Sequence, residues 1–278
     1  MPLFSRENNK PDYIDVHSHV SFKEYEHDRG EVLDRMRYAN IHTITVGVDL
    51  ASSKKAVGTA NAYKEMYASV GLHPADNKKE TFDPEQYKEL ASNIDVVAIG
   101  ECGLDYYRID KDDEREKERQ KKEFLSQVAF AVSVGLPLML HCRPRKGTMD
   151  AYLDMLDMLE DAKKKYGDKL LGDVHFFVGN ADIAERFVTL DFTLSFTGVI
   201  TFSKEYDEVV KRTPLHMIQA ETDSPYATPV PLRGERNEPI QVAKIVKRIA
   251  ELRGEDPEKV RKALVENAYR VFRLANEA

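Results

Sequence analysis

Short apolar runs alternate with longer amphipathic stretches from one end of this chain to the other, and that alternation limits the folds open to it more than any other feature. The apolar runs fall at 13–17, 42–47, 68–72, 95–100, 137–141, 170–175, 191–195 and 216–220. Most are rich in β-branched or bulky residues, and several are apolar on both faces, as strands of a buried parallel sheet are. Helical patterns fill the gaps near 31–40, 51–65, 83–92, 114–134, 149–165, 181–189, 203–212, 238–252 and 257–275. Asp83-Pro84 and Asp256-Pro257 put a capping aspartate before a proline at the first helical position. Asn180 precedes Ala181-Asp182-Ile183-Ala184 in the same way, and Gly135 and Gly254 stand where helices should stop. Eight strands alternating with at least eight helices predict an α/β fold, a single-domain (β/α)8 TIM barrel. The alternative is an open doubly wound sheet, but no GxGxxG follows the first strand. A barrel takes ~250 residues, so one such domain uses nearly all of the 278 present.

Six metal-type side chains stand at the ends of these runs: His17 and His19, Glu101, His141, His175 and Asp223. They belong to the first, fourth, fifth, sixth and eighth strands. Active sites of this barrel lie at the C-terminal ends of the strands, so all six converge at one mouth. Burying these groups separately is costly, and gathering them around divalent cations removes most of the penalty. In an alternating strand His17 and His19 point to the same side and can serve one ion. A single histidine near a strand end is usually a hydrogen-bonded structural residue; six candidates at corresponding positions are not explained that way. Imidazoles and carboxylates together suit a pair of divalent ions, with Glu101 bridging through its two oxygens. Two ions ~3.5–4 Å apart activate a water and stabilise the leaving oxygen of a displacement. Asp223 is read as both a ligand and the base for the attacking water. Structural zinc sites favour cysteine and closed tetrahedra, so the set points to a metal-dependent hydrolase.

The formal net charge of -7 argues against broad, non-specific nucleic-acid binding, which relies on a basic surface. It leaves room for a nucleic-acid enzyme whose bound cations supply positive charge locally. The two cysteines, Cys102 and Cys142, form no CxxC pair and suggest a reducing cytoplasm. Each follows a proposed ligand by one residue, which turns it away from the metals into the packing. Met1 to Pro11 is polar and lacks the apolar core of a signal peptide, and no 18-residue apolar stretch occurs. The expectation is a soluble cytoplasmic protein with no membrane contact and a loose tail at 1–11. The charged run Asp110 to Lys122 mixes both signs and reads as a solvated loop and first helical turn.

Local motifs run through the chain: DVHSH (Asp15–His19), GLHP (Gly71–Pro74), GECGLDYY (Gly100–Tyr107), HCR (His141–Arg143), HFFVG (His175–Gly179), SFTGVITF (Ser195–Phe202), ETDSPY (Glu221–Tyr226), NEP (Asn237–Pro239) and ENAYRVF (Glu266–Phe272). Through them the chain resembles the TatD-related metal-dependent DNase family, within the amidohydrolase-like barrels, from about Tyr13 to Leu274. The resemblance implies that 12–278 is a TatD-like hydrolase barrel behind the tail at 1–11. It implies two divalent ions, Mg²⁺ or Mn²⁺ with Zn²⁺ also open. His17, His19, Glu101 and Asp223 would hold one, and Glu101, His141 and His175 the other. It implies 3′-5′ cleavage of DNA, single-stranded or at 3′ ends, with RNA or damaged DNA as further substrates. The family's GxHP histidine lines the site and maps onto His73. Phe176 and Val178 depart from the Cys and Ser or Thr usual in the HxFxG segment. Pro144-Arg145-Lys146-Gly147 departs from the usual acidic continuation. These changes bear on substrate preference and leave the ligands untouched. The oligomeric state stays open, a monomer being compatible with everything above.

Other residues carry two readings each. His73 is a contact to substrate phosphate or a third ion, or a structural loop histidine. Arg143, two after His141, is a phosphate contact or half of an ion pair. Arg145 and Lys146 widen a phosphate-binding rim or are surface charge. Tyr106 and Tyr107 follow Glu101 on a loop, where one stacks on a base, or else they pack in the core. Asp105 orients a ligand histidine or caps its loop. Glu221 shares the side of Asp223, supporting it rather than ligating. Ser195 touches substrate or bonds to backbone, and His27, His42 and His216 are structural or exposed. Two other functions compete. One is hydrolysis of a small ester, amide or lactone with Zn²⁺, though such barrels often place a modified lysine where Glu101 stands. The other is metal binding without turnover, which the retained Asp223 argues against.

Overall fold

The computed structural model describes residues 10–110 and 113–274. Eight strands, β1 (Tyr13–Ser18), β2 (Ile41–Val46), β3 (Met66–Val70), β4 (Val96–Asp105), β5 (Leu138–Arg143), β6 (Gly172–His175), β7 (Phe192–Phe196) and β8 (Ile218–Ala220), lie side by side in chain order in one sheet. All neighbours pair in parallel. A bridge between Ser18 and Ser224 brings β1 against the segment that follows β8 and closes the barrel. There the amide of His19 donates to the Ser224 carbonyl (2.7 Å), and the amide of Asp223 to the His17 carbonyl (3.0 Å). The helices are α1 (Arg29–Tyr38), α2 (Leu50–Ala60), α3 (Pro84–Ala91), α4 (Glu114–Val134), α5 (Asp150–Tyr166), α6 (Ala181–Thr189), α7 (Asp207–Arg212), α8 (Val242–Arg253) and α9 (Pro257–Phe272). This is the expected (β/α)8 barrel.

The helix ends follow the expected local chemistry. Asp83, Asn180 and Asp256 each accept an amide of the first turn, and Gly135 and Gly254 close their helices in the left-handed conformation. Several elements differ from the sequence reading at their ends, among them these three. The helix expected over 51–65 ends at Ala60, where the amides of Ala62 and Tyr63 close turns onto Thr59 and Ala60. The helix expected over 203–212 starts at Asp207, whose amide closes a turn onto the Lys204 carbonyl (3.2 Å). Strand β4 continues past residue 100 to Asp105, with an irregularity between Ile99 and Cys102. Glycine makes that extension possible. Gly103 has φ +146, and a Cβ there would collide with the carbonyl oxygen of His141 on β5.

Two apolar layers hold the barrel. The larger lies between the outer faces of the strands and the helices and includes Leu104, Leu140, Val174, Leu194 and Ile218. The smaller joins α9 to the barrel's lower end. Val265, Ala268, Val271 and Phe272 cluster with Ile14, Tyr67, Val97 and Met139, each the second residue of its strand. Helix α9 thus covers the N-terminal end. Of the tail expected at 1–11, only Lys10 and Pro11 are among the described residues: Lys10 pairs with Glu266 on α9 (2.7 Å) and Pro11 is buried. The rest of that tail, and position 275 of the last helix, lie outside them. No helix among the described residues is long and apolar enough to cross a membrane.

Candidate metal centre

At the C-terminal mouth, Glu101 is the hub. Its Oε2 lies 3.4 Å from His17 Nε2 and 3.8 Å from His19 Nε2. Its Oε1 lies 2.7 Å from His141 Nδ1, 3.7 Å from His175 Nε2 and 3.6 Å from His73 Nε2. One carboxylate therefore turns one oxygen to each of two histidine groups. Asp223 Oδ1 completes the first, 3.4 Å from His19 Nε2 and 4.0 Å from His17 Nε2. Donors about 2.1 Å from one ion stand roughly 3–3.5 Å apart, and much of this spacing matches. Two sets of donor atoms share Glu101, each within 4.8 Å: His17, His19 and Glu101, and Glu101, His141 and His175. His17, His175 and Asp223 form a third set, and His73, Asp105 and His141 a fourth. The donor set fits hard or borderline divalent ions and offers no thiolate.

The fold aims these side chains. Strand β1 shifts register between Asp15 and Ser18 as it reaches the mouth. Asp15, wholly buried, accepts the amide (2.7 Å) and hydroxyl (2.6 Å) of Thr222 and so ties β1 to the segment carrying Asp223. The side-chain amide of Asn237 donates to the carbonyls of Thr222 (2.9 Å) and Tyr226 (2.7 Å). Thus the separated ETDSPY and NEP motifs clamp one loop. Outer nitrogens are held as well. His19 Nδ1 meets the Val46 carbonyl (3.2 Å), and His141 Nε2 meets Asp105 Oδ2 (3.2 Å). His175 Nδ1 stands 2.9 Å from Glu221 Oε1. His73 is fixed differently: its Nδ1 accepts the amides of Ala75 and Asp76, both at 3.1 Å, which leaves its Nε2 as the donor facing Glu101.

The charges follow from this packing. Burial favours the neutral acid for Glu101, but electrostatic interaction with the imidazoles of His73 and His175 and hydrogen bonds from His141 and His17 outweigh it. They hold the carboxyl well below its ordinary range. Asp223 is lowered likewise, burial being overcome by its bond to His19 and the charge of His175. Burial also opposes charge on His141 and His175. The bonds of His141 to Asp105 and Glu101 raise it to about 9, and the charges of Glu221 and Glu101 lift His175 to about 10. His73 goes the other way, lowered by burial and then by the charge of His141 to about 4, so it is neutral at pH 7.

The sequence profile described as TatD related DNase matches residues 14–273. The chain belongs to the TatD-related DNase family. It is 36% identical over 265 residues to YabD of Bacillus subtilis, an uncharacterized metal-dependent hydrolase, covering 94% of this chain and 99% of that one. It is 32% identical to a 3′-5′ ssDNA/RNA exonuclease TatD of Pectobacterium parmentieri, covering 94% and 100% of the two chains. The solved structure of YjjV, a TatD homolog from Escherichia coli K12, superposes with a TM-score of 0.85 at 27% identity, covering 96% and 100%. The chain is accordingly a metal-dependent hydrolase acting on ester bonds.

Around this cluster the remaining candidates separate. Arg143 lies over the ring of Tyr107, 3.9 Å from its centroid, with no carboxylate in ion-pair range among the described residues. Tyr107 is half exposed at the mouth. Tyr106 is not brought there: it is 1% exposed and its hydroxyl donates to Asp154 on α5 (2.7 Å). Strand parity explains the split. Because β4 runs to Asp105, Tyr106 falls with Cys102 and Leu104 in the apolar layer under the helices. Cys102 and Cys142 are buried in the same layer. Ser195 donates to Asp173 (2.7 Å), and Arg145 bonds Asp150 (2.6 Å). His27, His42 and His216 belong to none of the four donor sets. Tyr226, half exposed and 6.2 Å from the His19 ring, escaped the sequence reading although it ends the ETDSPY motif.

Proposed function

We propose that this chain is a 3′-5′ exonuclease of single-stranded DNA, with RNA as a further substrate, and that its six-ligand cluster holds two divalent ions. Mn²⁺ or Mg²⁺ suits a nucleotide phosphate, and Zn²⁺ also suits the imidazoles. The observation that carries the reading is the division of Glu101, one oxygen toward His17 and His19 and the other toward His141 and His175. When bound, the ions supply Lewis acidity and a nucleophilic water.

The chain's own residues do the rest. Asp223, ionised and beside His19, takes the proton of the attacking water. His73, neutral with Nε2 as donor, hydrogen-bonds a non-bridging phosphoryl oxygen. Arg143 grips a backbone phosphate. Tyr107 and Tyr226 offer half-exposed rings to bases, and such stacking contributes ~1–3 kcal/mol per base. That rim favours an extended strand over a small ester. The two buried, unbridged cysteines fit a reducing compartment and so the cytoplasm.

The test is a single-stranded DNA labelled at its 5′ end, incubated with Mn²⁺ or Mg²⁺ and with chelator. The expected result is a ladder shortening from the 3′ end that chelator stops. Intact DNA and RNA from metal-loaded protein that hydrolyses a small aryl ester would transfer the reading to a small-substrate hydrolase.

A further inference from the structure

Beneath the ligands, the barrel interior holds a second polar layer. Asp173 on β6 accepts the hydroxyls of Thr193 and Ser195 on β7, both at 2.7 Å, and is thereby satisfied. Gln219 on β8 and Glu221 just after it are also wholly buried, and neither is satisfied. Both amide atoms of Gln219 and Oε2 of Glu221 lack a hydrogen-bond partner among the described residues. A buried polar atom left unpaired is costly, so such a group on a site's inner wall calls for a role.

The ligand histidines supply one. An imidazole that binds metal through one nitrogen donates the other N–H to a carboxylate, carbonyl or water, which fixes its tautomer and ring plane. His19 has Val46 for this, and His141 has Asp105. His175 has Glu221 Oε1 at 2.9 Å, a contact off the line of the ring N–H, and the same oxygen accepts the Phe176 amide at 2.6 Å. Only His17 is left. Its Nε2 faces Glu101 and Asp223, while its buried Nδ1 has no hydrogen-bond partner among the described residues. Its ring stacks on that of His175, centroids 3.5 Å apart and planes at 18°, so the two imidazoles share the neighbourhood of Glu221.

We propose that Glu221 is a positioning residue for two metal ligands at once. Oε1 sets His175, and Oε2, with Gln219 beside it through a buried water, sets His17. Both rings are then committed to Nε2 ligation. One carboxylate just past β8 thus couples a ligand of the first ion to a ligand of the second, and Glu101 couples them from above.

The inference rests on reading the cluster as a metal centre, and its test separates the two. Metal-free full-length protein is titrated with Mn²⁺ and with Zn²⁺ by calorimetry, as wild type, Glu221→Gln and Ser195→Ala. Glu221→Gln keeps one carbonyl oxygen and removes the charge and the second acceptor. Its ion affinity should fall about 10–100-fold, the loss typical of removing such a partner. Ser195→Ala, equally buried but bonded to Asp173, should leave affinity at the wild-type value. In Zn²⁺-loaded wild type, long-range ¹H–¹⁵N correlation should find the protons of His17 and His175 on Nδ1. This last reading does not depend on a variant that folds. Wild-type affinity in Glu221→Gln, an equal loss in Ser195→Ala, or Nδ1-metallated His17 or His175 would each overturn the role of Glu221. Failure of wild type to take up any ion would instead overturn the metal centre itself.

Discussion

At the lower end of the barrel, the second residues of β1, β3, β4 and β5 meet α9 in an apolar cluster of Ile14, Tyr67, Val97, Met139 and Phe272. A few residues further along, three of the same strands present His17, Glu101 and His141 to one another at 2.7–3.4 Å. The first region gains its stability from area removed from water. The second gathers buried charges and places two non-glycine residues, Phe176 and Asp223, at φ near +50. Such backbone is costly for a phenylalanine and clusters at functional sites. The comparison shows one set of strands divided along its length: the lower half keeps the barrel closed, and the upper half spends part of that stability on the cluster proposed to hold ions.

If the division is real, each end can be damaged without the other. At the mouth, Asp223→Asn should lower turnover by about 10²–10⁴-fold, the usual contribution of a positioned base, while far-UV dichroism and cooperative unfolding persist. Full activity in that variant would remove Asp223 from its role. At the plug, Phe272→Ala should cost about 3–5 kcal/mol in denaturant unfolding, as loss of a buried aromatic does, with unchanged turnover per folded molecule. A variant that keeps its stability but loses activity would erase the distinction between the ends.

Protons sharpen the contrast less dramatically. His141 and His175, raised to about 9 and about 10 in the ion-free fold from an ordinary 6.5, contribute stability that is complete below pH 6.5. That contribution is lost as pH rises through 9 to 10. Ions compete with those protons, so filling the site at pH 7 should release a proton from each of these two rings. Titrations in buffers of different ionisation enthalpy would read the release, and no release would contradict the protonated ion-free site.

Much of this division is written in the sequence. Parallel strands buried on both faces give apolar runs that stand out, and the candidate ligands at corresponding strand ends stand out against them. The limits are equally physical. Two glycines let β4 continue five residues past its expected end, and only that continuation decides that Tyr107 reaches the mouth while Tyr106 packs inward. The partners of Glu221 and Asp105 come from other strands, so no local pattern announces them. Helix α9 has the same amphipathic periodicity as the helices on the barrel wall, and nothing in it says that its apolar face covers an end. The fold is therefore legible, and so is the convergence of the six candidate side chains at one mouth, whereas strand register decides which histidine Asp105 and Glu221 each face.

The most direct test is a count of ions. Metal-free protein saturated with Mn²⁺ and passed through a desalting column should retain two ions per chain, and Glu101→Ala should retain one or none. Two ions kept by Glu101→Ala, or a single ion in the wild type, would contradict a centre built on one shared carboxylate.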